Sequence, residues 1–176
     1  MKTLLKVLSP ILAIFLVVGG GLFGWNHLVA DAPLQRVLDG DPRNAGIEAR
    51  AHFDVYVRSS ALVFDLKQVG PETAPVDVFR VFLGYASAMK AERFTTVTLA
   101  YRGTAKFMMT GDYFRQLGEE YGEQNPMYTT RTFAENLLTP EGRPAFDAID
   151  GGVLAVLGAQ MEQFGEVHRR WYIDAR

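Results

Sequence analysis

The 176-residue chain contains no cysteine and only three histidines, His27, His52 and His168. Without cysteine the chain cannot form a disulfide, a thiol nucleophile, a zinc–thiolate site, an iron–sulfur site or a lipid-modified cysteine. The histidines do not occur at the His-x-x-x-His or His-Glu-x-x-His spacing of a helical zinc site. The sequence therefore predicts no metal site and no cofactor, and the folded core has to be stable without disulfides.

The motifs of common hydrolases and nucleotide-binding enzymes are also missing. Beyond residue 30 the serines are Ser59, Ser60 and Ser87, and none lies in a Gly-x-Ser-x-Gly or Ser-x-x-Lys motif. No glycine-rich phosphate loop follows a predicted strand. The adjacent carboxylates Glu119 and Glu120 point in different directions on a helix, so they do not form an acid–base pair. These absences predict no catalytic residue and favour a non-enzymatic protein.

The chain has one long apolar run, Val7 to Trp25, nineteen residues without an ionisable side chain that follow Lys2 and Lys6. As a helix it would be roughly 28 Å long, close to the hydrocarbon thickness of a bilayer. The apolar core of a cleaved signal peptide is shorter, about 7 to 15 residues, so a retained signal anchor is favoured over cleavage. The two lysines predict a cytoplasmic N-terminus and a domain exported to the periplasm or the cell surface.

Within this predicted transmembrane helix, Gly20 and Gly24 have the small-xxx-small spacing of helix–helix contacts. A contact there would join two copies of the chain or attach it to a larger membrane complex. The alternative is that glycine is simply common in membrane helices, where this spacing also arises by chance.

Composition divides the chain into a predicted anchor over residues 1–30, a linker rich in Pro, Gly, Asp and Asn over 31–50, and one exported domain over 51–176. Excluding Lys2 and Lys6 of the predicted anchor leaves 16 of the 18 basic residues and all 20 acidic ones, so the rest of the chain has a net charge of −4. Because nucleic-acid-binding domains carry a basic patch or stripe, we expect no nucleic-acid partner.

The predicted elements of the domain alternate between strands and helices, and together they indicate an α+β fold. We expect an antiparallel or mixed sheet covered by helices. A bulge or tight turn is expected near Ser59, and Arg102-Gly103-Thr104 is expected to be a hairpin turn. The predicted ranges are extended structure over 52–66, helix over 75–91, strands over 94–101 and 105–109, helix over 112–121, strand over 128–133 and helix from 152.

Three stretches combine cations with aromatic side chains, which is typical of protein-contact surfaces. Each has a plainer interpretation as well: solvated charges beside a turn, loop side chains that satisfy the backbone, or cations at the negative end of a helix dipole. The candidate partner-binding residues are Arg102 and Lys106 in the hairpin, Tyr128 and Arg131 in the following connection, and Arg169, Arg170 and Trp171 in the tail.

The leading hypothesis is therefore a membrane-anchored, exported domain without enzymatic activity that binds a protein partner, as an accessory subunit or an inhibitor or immunity-type protein. A small-molecule or lipid-binding module is the alternative, since the many Phe and Met residues could line a pocket, although such residues are more often core. A hydrolase ranks third, because it would need His52 or His168 beside acidic residues in a cleft. We expect His168 to be a structural histidine.

Overall fold

Four strands form one mixed sheet in the computed structural model, which describes residues 21, 24–55, 58–123, 126–147, 149 and 153–175. The strands lie side by side in chain order. Strand β1 pairs with β2 antiparallel, β2 with β3 parallel, and β3 with β4 antiparallel. Their ranges are Ile47–Val55 for β1, Arg58–Val69 for β2, Thr96–Tyr101 for β3 and Thr104–Thr110 for β4. The predicted α+β fold with a mixed sheet is confirmed.

The helices precede, connect and follow the two pairs of strands and supply the second layer of the domain. A π-helical turn, His27–Asp31, leads into α1, and a 3₁₀ turn, Pro42–Asn44, leads to β1. Helix α2 connects the parallel strands β2 and β3, as a parallel pair requires a crossover. The α-helices are Ala32–Asp39 (α1), Pro75–Ala88 (α2), Gly111–Glu120 (α3), Pro126–Glu135 (α4) and Val153–His168 (α5), and a C-terminal π-helical segment, Arg169–Ile173, follows α5.

The core is built largely from aromatic rings between the sheet and α2. Phe64 in β2 lies 5.3 Å from Phe82, 5.8 Å from Tyr85 and 5.9 Å from Trp171, measured between ring centroids. Phe133 of α4 adds a ring 5.7 Å from Phe82. All five side chains are fully buried. These five aromatic side chains therefore form a contiguous cluster within the core.

The β3–β4 hairpin turns at Arg102 and Gly103, as the sequence predicts. Both have positive φ angles, +51° and +82°, the combination of a type I′ turn. The fully buried Asp65 of the neighbouring strand accepts a hydrogen bond from Gly103 N–H at 3.1 Å and forms an ion pair with Lys67. A buried carboxylate therefore fixes the turn in place.

Side chains of the N-terminal helical segment take the place of a neighbouring strand along the free edge of β1. Asn26 Oδ1 accepts a hydrogen bond from Phe53 N–H at 3.0 Å, and Asp31 Oδ1 accepts one from Ala51 N–H at 3.1 Å. Gln35 Nε2 donates to the carbonyl oxygen of Ala49 at 3.0 Å. The edge strand thus has its outward backbone groups satisfied by side chains rather than by a fifth strand.

The opposite edge of the sheet is covered by the segment that follows α4. Met108 of β4 donates its N–H to the carbonyl of Leu138 and accepts the N–H of Leu138, both at 2.8 Å. Leu138 also forms an isolated bridge with Pro144. Both edges of the sheet are therefore protected locally.

The structure corrects the prediction of a transmembrane helix, and with it the signal anchor and the single-pass arrangement. Of the helices in the described part of the chain, none combines the length and the apolar character that a bilayer span requires. The helix begun at the end of the apolar run instead continues into the domain, because Asn26 and Asp31 are buried and hydrogen-bonded to β1. Ala30 and Leu34 are fully buried in the core.

Most of the predicted span, including Gly20, lies outside the described residues. A Cβ atom added at Gly24 would meet no atom within 4 Å. The contact predicted for Gly20 and Gly24 is with another chain, so it stays a prediction.

Two further segments differ from the sequence-based expectation. The linker predicted for residues 31–50 includes α1 and the start of β1, and Leu34 of α1 belongs to the core. The strand predicted for residues 128–133 lies within helix α4 instead. Thr129, Phe133 and Leu137 of this region are buried at intervals of four residues, the spacing of a helix face.

Candidate functional site

The C-terminal π-helical segment packs on the β3–β4 hairpin and holds the end of the chain there. Trp171 Nε1 donates a hydrogen bond to the carbonyl oxygen of Ala100 at 3.0 Å. The rings of Tyr172 and Tyr101 lie 6.5 Å apart. Trp171 is fully buried, so this predicted contact residue is part of the core. These contacts place Arg170 beside the hairpin.

Arg170 is held by two aromatic rings and one carbonyl group. Its guanidinium carbon lies 5.2 Å from the ring centroid of Phe107 and 4.9 Å from that of Phe146. Nη1 donates a hydrogen bond to the carbonyl oxygen of Ala145 at 3.1 Å. No carboxylate of the described residues lies within ion-pair distance. The result is an exposed cation with a fixed orientation and an uncompensated charge.

Arg102, at the tip of the hairpin, has a similar arrangement. Its guanidinium carbon lies 5.0 Å from the ring centroid of Tyr101, and Nε donates to the carbonyl oxygen of Lys67 at 3.2 Å. Lys106 is half-buried in β4 and precedes the buried Phe107, so the two side chains lie on opposite faces of the strand. Neither cation has an ion pair with a carboxylate in the part of the chain described. Arg102, Lys106 and Arg170 are termed the hairpin cations below.

Arg169 contrasts with Arg170 although the two are adjacent and both exposed. Its Nε and Nη2 donate to Glu166 Oε2 at 2.8 and 2.5 Å. These bonds, together with the charge of Glu166, raise the pKa of Arg169 above its ordinary value. Glu166 therefore already neutralises Arg169, whereas Arg170 keeps its charge for another group.

The other candidate contact residues are less informative. Tyr128 and Arg131 lie on helix α4, and their side chains are outside what the structure describes. The structure thus places Arg170 beside the hairpin that carries Arg102 and Lys106, whereas Arg169 is neutralised and Trp171 is buried.

Ion pairing distinguishes the hairpin cations from most other described cations. Carboxylates pair with Arg43, Arg50, Lys67, Arg80, Arg115, Arg143 and Arg169. Among described residues Arg36, Lys90 and Arg93 also lack such a pair, but none of them shows a cation–π contact there. Stacking on a ring without a carboxylate partner is the property that Arg102 and Arg170 share.

His168 is buried inside the domain and is not placed to exchange protons with a substrate. Its side chain is fully inaccessible, and neither ring nitrogen has a hydrogen-bond partner among the described residues. Burial lowers its pKa to about 4. The neutral imidazole therefore packs as an aromatic ring. Nothing in the sequence indicated that both nitrogens would lack partners.

The remaining histidines serve the backbone or an ion-pair network. His27 Nδ1 lies 3.2 Å from Asp31 Oδ2, but Asp31 also accepts from Arg50 Nη1 at 2.9 Å and from Ala51 N–H. His52 Nδ1 lies 3.2 Å from the carbonyl oxygen of Phe53. Within the described ranges, no group of three or more His, Asp or Glu side chains is arranged to hold a metal ion.

A surface pocket of about 290 Å³ lies between α1 and β1. Its cations, Arg50 and Lys67, are already paired with Asp31 and Asp65. Ligand pockets are usually larger and mostly apolar, whereas charged and amide side chains make up much of this wall. The lining residues are Gln35, Leu38, Asp39, Asn44, Ala45, Ile47, Glu48, Ala49, Arg50 and Lys67.

The hairpin cations therefore lack a carboxylate partner among the described residues, and they form the candidate functional site. Comparison of the chain with protein-family models, with curated proteins and with solved structures gave no match.

Proposed function

We propose that this chain is a non-enzymatic domain that binds a protein partner through the hairpin cations. The observation that carries the proposal is the position of Arg170 against the adjoining rings of Phe107 and Phe146, exposed and without a carboxylate partner in the described chain. Arginine is enriched among the residues that dominate binding energy at interfaces. A side chain that is already held in place loses less conformational entropy when it binds.

The histidine geometry supports the non-enzymatic part of the proposal. General acid–base catalysis needs a titratable group within hydrogen-bonding reach of the substrate. His168 is enclosed by core rings, and the carboxylate beside His27 is occupied by Arg50 and a backbone N–H. An arginine stacked on core rings instead suits recognition of another molecule.

Quantitative affinity capture tests this proposal. The full chain is immobilised, exposed to extract of the source cells, and compared with the variants Arg170→Ala, Arg169→Ala and Arg102→Ala/Lys106→Ala by mass spectrometry. We expect one stoichiometric partner whose recovery falls at least tenfold with Arg170→Ala and changes less than twofold with Arg169→Ala. Absence of a stoichiometric partner, or equal losses for the two arginine variants, would contradict the proposal.

A folding control accompanies the capture experiment, because Arg170 also covers two rings. Thermal unfolding of each variant shows whether lost capture reflects lost structure. Arg170→Lys keeps the charge but not the planar group, so we expect it to retain the fold and only part of the capture. Full capture by Arg170→Lys would show that charge alone suffices.

A further inference from the structure

The charge around the β3–β4 hairpin differs in sign from that of the chain as a whole. The full sequence carries a formal net charge of −2. At the hairpin, Asp65 balances Lys67 and Glu166 balances Arg169, which leaves the three hairpin cations uncompensated within the described chain. Asp147 follows Phe146 in sequence but forms no ion pair with Arg170. This local excess of positive charge is available to an external anionic group.

The two arginines also have hydrogen-bond donors to spare. A guanidinium group has five N–H donors arranged in a planar fork. Arg170 uses Nη1 for Ala145, and Arg102 uses Nε for Lys67, and these are the hydrogen bonds that each makes to the described residues. The guanidinium carbons lie 5.0 Å from the ring centroid of Tyr101 for Arg102 and 5.2 Å from that of Phe107 for Arg170. The remaining N–H donors match the two oxygens of a carboxylate.

Resting on the proposed function, we infer that the partner presents an acidic protein segment and that one of its carboxylates pairs with Arg170. Arg102, at the turn of the same hairpin, then binds a further acidic residue of the segment. Opposite charges also increase the rate of association and make it sensitive to salt.

The aromatic residues of this surface argue against nucleic acid as the partner. Single-stranded nucleic acid is bound by exposed aromatic rings on which bases stack, within a basic groove. The rings of the hairpin itself are buried, Tyr101 3% exposed and Phe107 1% exposed, while the half-buried Phe146 lies against the guanidinium of Arg170. Cations beside two buried rings, and beside one half-buried ring that Arg170 already contacts, suit side-chain carboxylates better than bases and a phosphate chain.

Fluorescence anisotropy with defined probes tests the inference. The full chain is titrated into a labelled 12-residue peptide of alternating Glu and Asp, and into a matched peptide of Gln and Asn. We expect the acidic peptide to bind at least tenfold more tightly, and its affinity to fall as salt is raised from 50 to 150 mM. Arg170→Ala should weaken binding at least fivefold, and Arg169→Ala less than twofold.

Equal affinity for the two peptides, or equal effects of the two arginine variants, would overturn the inference. Tighter, Arg170-dependent binding of a labelled oligouridine would overturn it in favour of nucleic acid. If the acidic peptide fails but capture of the cellular partner still requires Arg170, the acidic segment is wrong and the proposed function stands. If both experiments fail, the proposed function fails too. Arg170→Lys, checked by thermal unfolding, separates lost binding from lost folding.

Discussion

The imidazole of His168 stands edge-on to the ring of Phe164, with 4.5 Å between the ring centroids. Of the rings that pack against His168 in the described structure, those of Phe164, Trp171 and Tyr172, only Tyr172 is titratable. Burial alone accounts for the lowered pKa, about 4. His168 is therefore neutral in the fold over a pH range in which it is protonated in the unfolded chain.

This difference predicts a loss of stability in mild acid. An unfolded histidine has a pKa of about 6.5, so between pH 6.5 and 4 the unfolded chain binds a proton that the folded chain does not. The contribution of His168 to the free energy of unfolding is present in full above pH 6.5 and is lost as the pH decreases towards 4. The stability lost over this whole pH range is on the order of 3 kcal/mol, because one pKa unit corresponds to about 1.4 kcal/mol. Urea unfolding at pH 7.5, 6 and 5 measures it.

His168→Phe is the matched variant, because phenylalanine keeps a ring among rings and does not titrate. Replacing a buried polar group that lacks a partner by an apolar one is neutral or stabilising, so we expect the variant to fold. Its free energy of unfolding should vary less between pH 7.5 and 5 than that of the parent chain. The same pH dependence in both proteins would show that His168 is not the group responsible.

Asn26→Ala should loosen the edge of β1. The substitution removes the acceptor of the buried Phe53 N–H, and an unsatisfied buried donor costs about 1–3 kcal/mol. We expect faster hydrogen exchange at the Phe53 amide together with a lower free energy of unfolding. Trp25→Ala, at the adjacent and 58% exposed residue, should change stability by less than about 0.5 kcal/mol. Unchanged exchange at Phe53 would refute the assigned hydrogen bond.

Gly118→Ala should force α3 away from α2. A Cβ atom at Gly118 would lie 2.3 Å from the carbonyl oxygen of Ala86, and this backbone atom cannot move aside as a side chain could. Overpacking of this kind costs about 1–3 kcal/mol. Gly165→Ala is the control, since no atom lies within 4 Å of the added Cβ. In a helix it should stabilise by roughly 0.5–1 kcal/mol.

Urea unfolding of both glycine variants at pH 7.5 checks this pair. Opposite shifts of the unfolding midpoint are expected, downward for Gly118→Ala and upward for Gly165→Ala. A Gly118→Ala protein as stable as the parent would mean that the two helices are not in such close contact.

Local signals predicted the elements whose boundaries carry strong turn or cap residues. Pro75 starts α2, Arg102 and Gly103 form the hairpin turn, and Thr110 caps α3 by accepting a hydrogen bond from Tyr113 N–H at 3.2 Å. Each signal acts within three or four residues, so it does not depend on the tertiary contacts of the chain.

The sequence failed where distant partners decide the structure. From the local sequence, Asn26 and Asp31 are only polar residues at the end of an apolar run. In the structure, their side chains accept hydrogen bonds from a strand 20 or more residues along the chain. The threonines near residue 130 favour a strand locally, but burial of Phe133 against α2 selects a helix. Tryptophan is a residue type common at protein interfaces, and only the hydrogen bond of Trp171 to Ala100 reveals that it belongs to the core.

Of the candidate site, the sequence predicted the residues of the hairpin and the tail but not their connection. The connection is the stacking of Arg170 on Phe107, between residues 63 positions apart. The neutralisation of Arg169 by Glu166 follows from their spacing of three in a helix and was accessible to sequence reasoning.

The covered edges of the sheet limit how this protein associates with itself. The N–H groups of Ala51, Phe53 and Met108 are already bonded within the chain, so at these positions an incoming strand has no free donor to pair with. Growth of a cross-β fibril from the folded state must first break those bonds. Mutations at Asn26 or Asp31 are therefore expected to promote amyloid-like aggregation even where they leave the core untouched.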